Sequence, residues 1–337
     1  MDAGLVIAIS LAVAFAVTNG LHDAANAIAT LVATRAATPL QAIILASAFN
    51  LLGPFVIGAA VADTIGGIVE IGDSREAIEV IGSGLAAAVT WNLITWRLGL
   101  PSASSHALVG GLVGAAIVAA GIDAVNWGGI EDWHPVGVFG ALIGLAICPV
   151  LAALAAFVVI RALRRLARRG TRRWRGPLRG GEWTMSAALA FSHGANDAQK
   201  AIGVVAALLL AAGDIDSLSA PTWVTLACAV ALTAGTALGG WRIIKTVGRR
   251  IYHIQPLGGF ASQTASAGVI FGASLAGAPA STSQVVASSI VGVGGGRRRW
   301  RHVHWGLVRE IGIAWLITIP ICGALAAVML GVVRFVT

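Results

Sequence analysis

The stretch NGLHDAANAIAT, residues 19–30, interrupts an apolar run that begins at Leu5, and FSHGANDAQKAIGVV, residues 191–205, interrupts another in the second half of the chain. An aspartate inside a bilayer-spanning helix costs about 2.5–3.5 kcal/mol on insertion scales, so Asp23 and Asp197 each need a compensating role. The two stretches align, because Asp197 follows Asp23 by 174 residues (197 − 23) and Ile28 falls on Ile202 by the same shift. A second pair lies downstream in the same order. LPSASSHALVGGLVG (100–114) matches APASTSQVVASSIVG (278–292), with Pro279 following Pro101 by 178 residues (279 − 101). Two ordered matches with nearly equal offsets mark an internal repeat.

Composition places this repeat in a membrane. Of the 337 residues 57% are hydrophobic and 11% charged, mean hydropathy is +0.84, and 43 are glycines. Soluble domains carry roughly 25% charged residues, which excludes an ordinary soluble enzyme. The net charge of +8 comes from arginine blocks between apolar runs rather than from a basic face interleaved with aromatics, so no nucleic-acid partner is expected. Cys148, Cys228 and Cys322 stand singly in apolar runs and form neither a disulfide framework nor a metal site. The first apolar run lacks a basic leader and is read as part of the mature protein.

Ten apolar segments of span length are drawn at 4–33, 40–62, 78–97, 102–121, 136–160, 182–211, 222–240, 258–277, 279–296 and 305–333, the first and sixth interrupted by the polar motifs. They divide the chain into a first transmembrane repeat (1–160), an arginine-rich linker (161–181) and a second repeat (182–337). Nine arginines between Arg161 and Arg179, with the blocks Arg242–Arg250 and Arg297–Arg301, predict a cytoplasmic face that touches anionic lipid, and both termini outside. An odd number of spans on each side of the linker reverses the second half. The expected fold class is therefore an all-α polytopic membrane protein, an inverted 5+5 repeat with broken helices and room for re-entrant hairpins.

The polar residues narrow the chemistry. His22 and Asp23 either satisfy one another or bind a cation. Lys200, one of two lysines against 21 arginines, either neutralises Asp197 or serves an ion or oxyanion site as a compact point charge. The Pro-Ser/Thr motifs start helices, where hydroxyls cap free N–H groups or leave that terminus to an anion. Asp23 and Asp197 would repel an oxyanion unless cations intervene. The pattern fits a cation-coupled anion symporter working by alternating access.

These motifs resemble the inorganic phosphate transporter (Pit) family, whose GANDVANA-like sequence is repeated in both halves. The matching residues are NGLHDAANA (19–27) and HGANDAQKA (193–201), with the two Pro-Ser/Thr motifs as a second repeated pair. The resemblance implies phosphate uptake across the cell membrane. Asn26, Ser104, Ser105, Asn196, Lys200, Thr282 and Ser283 are expected at the phosphate and Asp23, Asp197 and His22 at the coupling cation. It also implies dimers. No catalytic residue and no cofactor beyond a coupling proton or sodium is expected, and a resident metal is left open. The sequence departs from the family pattern at His22, Gln199 and Lys200. A lysine in place of the second asparagine favours proton over sodium coupling, with phosphate moving free or as a neutral metal phosphate. Sulfate and arsenate remain alternative oxyanions. A membrane-embedded phosphohydrolase using His22, Asp23 and His193 is a further alternative.

Overall fold

The computed structural model describes residues 2–100, 102–131, 134–167, 175–239 and 251–336. The expected arginine block at 242–250, Pro101 of the first Pro-Ser motif and the central part of the linker, 168–174, lie outside the described residues.

The first half contains α1 (Ala3–Ala33), α2 (Pro39–Leu52), α3 (Ala60–Gly66), α4 (Ser74–Leu98), α5 (Ser104–Ala120) and α6 (Gly137–Ala167). A short hairpin of β1 (Gly129–Glu131) and β2 (His134–Val136) precedes α6. The second half contains α7 (Arg175–Ala211), α8 (Thr222–Leu238), α9 (Pro256–Leu275), α10 (Thr282–Gly296) and α11 (Trp305–Val336). The expected linker is largely helical at its flanks, since α6 continues to Ala167 and α7 begins at Arg175.

Local chemistry sets several boundaries. Thr38 and Gln41 form a reciprocal capping box at the start of α2, with Pro39 at the first helical position. Asp73 accepts the Glu76 N–H at the start of α4, and Gly99, at φ 67°, ends that helix in the left-handed region. The span expected at 40–62 is broken: Gly53 and Pro54 end α2, and the axis bends by 79° before α3.

The molecule has one acidic and one arginine-rich end. At the acidic end Asp2, Arg75, Glu79 and Val336 line one pocket, Arg334 pairs with Glu76, and Val69 bridges Val125. At the other, Arg161, Arg164, Arg165 and Arg297 line a common pocket and Arg297 donates to Gln255. The N- and C-terminal residues described thus share the end opposite the arginines.

Helices α1, α6, α7 and α11 run between these ends, as does the broken pair α2–α3. Helices α4 and α5 do not cross separately. They descend from the acidic end and return to it, with the tip at Leu100–Ala103. Helices α9 and α10 form the matching hairpin from the arginine end, with the tip at Ala278–Ser281. The paired segments expected at 78–97 with 102–121, and at 258–277 with 279–296, are therefore re-entrant hairpins. The inversion survives, because the three full crossings of the first half, α1, α2–α3 and α6, start the second half at the end opposite the one where α1 begins.

Glycines allow the halves to interlock. A Cβ on Gly20 of α1 would lie 2.0 Å from Leu232 O of α8, and one on Gly194 of α7 would lie 2.2 Å from Asn50 O of α2. The contact is thus made twice, each time between opposite halves, at the close backbone approach that small residues permit. Two apolar clusters flank the middle of the molecule, one built on Leu5–Ala16 and Ala198–Leu209, the other on Ala27–Leu31, Leu189 and Ala190. The polar motifs form the layer between them.

Candidate functional site

On α1 the side chains of Asn19, Asp23 and Asn26 recur every three or four residues and share one face; His193, Asp197 and Lys200 do the same on α7. The two faces meet where the hairpin tips arrive from opposite ends. All six residues are at most 1% exposed.

Asp23 Oδ1 accepts Ser283 Oγ at 2.5 Å and Asn26 Nδ2 at 2.7 Å, and Asn26 Nδ2 lies 3.0 Å from Ser283 Oγ. In the second half Lys200 Nζ donates to Asp197 Oδ1 at 2.5 Å and to Ser105 Oγ at 2.7 Å. These triads are counterparts, since Asp197 and Lys200 match Asp23 and Asn26, and Ser283 matches Ser105. Each triad includes a serine from the other half's hairpin, but Ser283 bonds Asp23 directly whereas Ser105 reaches Asp197 only through Lys200. Lys200 also donates to Ala280 O at 2.6 Å, tying it to the second hairpin's tip. The ammonium both neutralises Asp197 and stands where an amide stands in the first half.

The outer carboxylate oxygens are linked. Ser104 Oγ lies 3.0 Å from Asp23 Oδ2 and 2.8 Å from Asn19 Oδ1, and Asn19 Nδ2 donates to Asp197 Oδ2 at 3.3 Å. His193 Nε2 faces the same Asp197 Oδ2 at 3.1 Å. Asp23, His193 and Asp197 each offer a ligand atom, all within 4.8 Å of one another, a grouping suited to a cation.

The tautomer of His193 follows from its neighbours. Thr236 Oγ1 donates to Leu232 O, so it accepts Asn50 Nδ2 at 2.9 Å, which leaves Asn50 Oδ1 to accept His193 Nδ1 at 3.0 Å. With the proton on Nδ1, a neutral ring would turn the Nε2 lone pair toward a carboxylate. A proton or another cation between the two removes that repulsion.

Not every expected residue faces the carboxylates. His22 Nε2 points to Leu100 O, Thr95 Oγ1 and Ser102 Oγ at 3.2–3.3 Å, and its Nδ1 is 3.5 Å from Asp23 Oδ1. Asn196, its counterpart, donates to Ser274 Oγ and Ala278 O and accepts Ala280 N–H. Both brace a hairpin tip. Gln199 accepts the Val61 N–H at 3.0 Å and so holds α3 at the break. Sequence reading missed Asn50, Thr236 and Ser274, which are single polar residues in apolar runs with no repeat to single them out.

The hydroxyls at the hairpin helices do not cap them. Neither Ala103 nor Ser281 makes a side-chain cap, and Ser104, Ser105 and Ser283 turn instead to partners in the polar layer. The first-turn N–H groups of α5 and α10 therefore converge uncapped, the arrangement that receives an anion. Among the buried atoms here without a hydrogen-bond partner are Thr282 Oγ1 and Asn26 Oδ1. They suit an anion and a cation respectively. A concavity of about 790 Å³ between α6 and α9 is apolar and is lined by none of these groups.

The chain as a whole is similar to known phosphate transporters. The model of the phosphate transporter family matches residues 19–175 and 172–326, one match for each half. A probable low-affinity inorganic phosphate transporter of Bacillus subtilis is 39% identical over 333 residues, 97% of this chain and 97% of that protein. One of Mycobacterium bovis is 37% identical over 334 residues, 98% of this chain and 78% of that protein. A solved structure titled as the sodium-dependent phosphate transporter superposes with a TM-score of 0.86 at 26% identity and covers all of both chains.

Proposed function

The chain belongs to the phosphate transporter family, and from that premise we propose that it imports inorganic phosphate by proton symport, with Lys200 permanently filling one of two equivalent cation places. The relatives are named as transporters, and the protein is a membrane phosphate transporter rather than an enzyme. The observation that carries the coupling is that Lys200 Nζ stands between Asp197 and Ser105 where Asn26 Nδ2 stands beside Asp23 and Ser283.

Charge decides what else must bind. Asp23, Asp197 and Lys200 together leave one negative charge when the histidines are neutral. Dihydrogen phosphate would raise this to two, whereas a neutral metal hydrogen phosphate would leave it at one, which a single proton cancels. The His193–Asp197 pair is the place for that proton, since Nε2 and Oδ2 stand 3.1 Å apart with Nδ1 already committed to Asn50. Phosphate then sits against the N-termini of α5 and α10, with Thr282 Oγ1, Ser104, Ser105 and Lys200 as donors. Withdrawal of one hairpin tip opens the site to one end and withdrawal of the other opens it to the opposite end, as alternating access requires. By the positive-inside rule the arginine end is cytoplasmic and both termini lie outside.

In proteoliposomes, initial phosphate uptake is expected to rise at least about fivefold, roughly 1 kcal/mol of coupling, when an inward pH gradient is imposed without sodium. A sodium gradient at equal pH is expected to have no effect. Uptake that needs sodium and ignores the pH gradient would overturn the reading.

A further inference from the structure

We propose that Glu182 is the inward proton acceptor of the transport cycle, joined to the central site by a buried polar file; this rests on the proton-symport reading. Glu182 lies on α7, on the same helical face as Ser186, His193 and Asp197, toward the arginine end. It is 1% exposed, Oε1 has no hydrogen-bond partner, and it forms no ion pair among the described residues. The Thr34 hydroxyl is its one side-chain hydrogen-bond neighbour among the described residues, whereas a buried charge normally has an ion-pair partner.

Its surroundings point along the helix axes. A Cβ on Gly259 of α9 would lie 2.7 Å from Glu182 Oε1 and 3.0 Å from Thr34 Cγ2, so the carboxyl group fills a notch between the end of α1 and the start of α9. Between it and the site, other buried polar atoms also lack partners: Asn26 Oδ1, Thr30 Oγ1 and both amide atoms of Gln263. Asn26, Thr30 and Thr34 share one face of α1, separated by about 6 Å for each four-residue step at 1.5 Å per residue. Gln263 of α9 stands at the level of Ser186, since Ser274 meets Asn196 and Gly259 meets Glu182 along parallel helices. Unpartnered polar atoms recurring about one helical turn apart along α1, in an otherwise apolar cluster, are what a hydrated file requires.

The charged group nearest to Glu182 on its own helix is Arg179, which acts on the carboxyl group at a distance while its Nε is held by Ala36 O. From α1 the neighbour is Thr34, whose hydroxyl is shared between the Glu182 carboxyl group and Leu31 O, and from α9 it is the backbone of Gly259. Beyond Thr34 opens a cavity of about 470 Å³ lined by Arg35, His253 and Gln255, which gives the file its exit. The step is a proton transfer only. The proton leaves the His193–Asp197 pair, passes through water beside Thr30 and Gln263 to the Glu182 carboxylate, and goes on to solvent.

Net uptake requires the proton to leave before the empty carrier returns, whereas exchange of internal for external phosphate does not. Glu182→Gln is therefore expected to lower pH-driven net uptake in sodium-free proteoliposomes on the order of tenfold or more, as loss of a positioned proton-transfer group does. Labelled-phosphate exchange should stay near wild type, and Glu182→Asp should restore part of the net flux. If Glu182→Gln is not recovered as monodisperse protein, Gln263→Leu and Thr30→Val carry the same expectation. Wild-type net uptake in these variants, or equal loss of net uptake and exchange, would overturn the proposal. A wild-type protein indifferent to the pH gradient would instead sink the proton-symport reading.

Discussion

Lys200→Ala is expected to reduce sodium-free phosphate uptake on the order of 100-fold or more. The substitution leaves the Asp197 carboxylate buried with its main counter-charge gone, a loss of about 3–5 kcal/mol for a broken buried pair, and each 1.4 kcal/mol is about tenfold. It also removes the ammonium that donates to both Ser105 Oγ and Ala280 O, leaving the direct Ser105–Ala280 bond alone to link the hairpin tips. Lys200→Asn carries the opposite implication for coupling. It recreates in the second half the Asp–Asn–Ser arrangement of the first, with an open cation place instead of a tethered ammonium. Uptake by this variant is expected to return only when sodium is supplied, measured as the ratio of initial rates in sodium and choline. Sodium-free uptake near wild type in both variants would show that the ammonium has no part in the cycle.

Asp23→Asn is expected to abolish uptake in any cation, again by on the order of 100-fold or more. Asp23 accepts from Ser283, Asn26 and Ser104, so every neighbour that touches it through an oxygen lone pair is a donor. An amide puts an NH₂ group against one of those donors and removes the negative charge that offsets the cation. The replacement is nearly isosteric, and the glycine contacts between α1 and α8 are untouched, so the variant should still elute as a folded membrane protein. Retention of more than about a tenth of wild-type uptake, less than 1.4 kcal/mol, would remove Asp23 from the site.

The class, the repeat and the site region were legible because a carboxylate in an apolar run is costly and its recurrence at one offset is hard to obtain otherwise. The path of the chain was not. A hydropathy window sees that 78–97 and 102–121 are apolar, but a crossing helix and one arm of a hairpin bury similar surface, and only the meeting of Leu100 with His22 deep in the molecule separates them. The two histidines teach the same lesson at the scale of one turn. Adjacency to Asp23 made His22 look like the cation ligand, yet consecutive residues on a helix diverge by about 100°, which sends His22 to the hairpin tip. His193, four residues before Asp197, lies on the same face and meets it. The same spacing, extended back through Ser186 to Glu182 and along α1 to Thr30 and Thr34, was available in the sequence. It passed unnoticed because a hydroxyl or one carboxyl group near a span boundary does not stand out. The serines of the Pro-Ser/Thr motifs were expected as possible caps, but contacts between the two halves claimed their hydroxyls.

Luminal pH, followed with a trapped dye in sodium-free proteoliposomes of purified protein while phosphate and magnesium are added outside, tests the central claim most directly. Lumen acidification that begins with phosphate addition, scales with labelled phosphate entry and disappears in Lys200→Ala is the expected result. Phosphate entry with no change in luminal pH, or entry only after sodium is added, would contradict it.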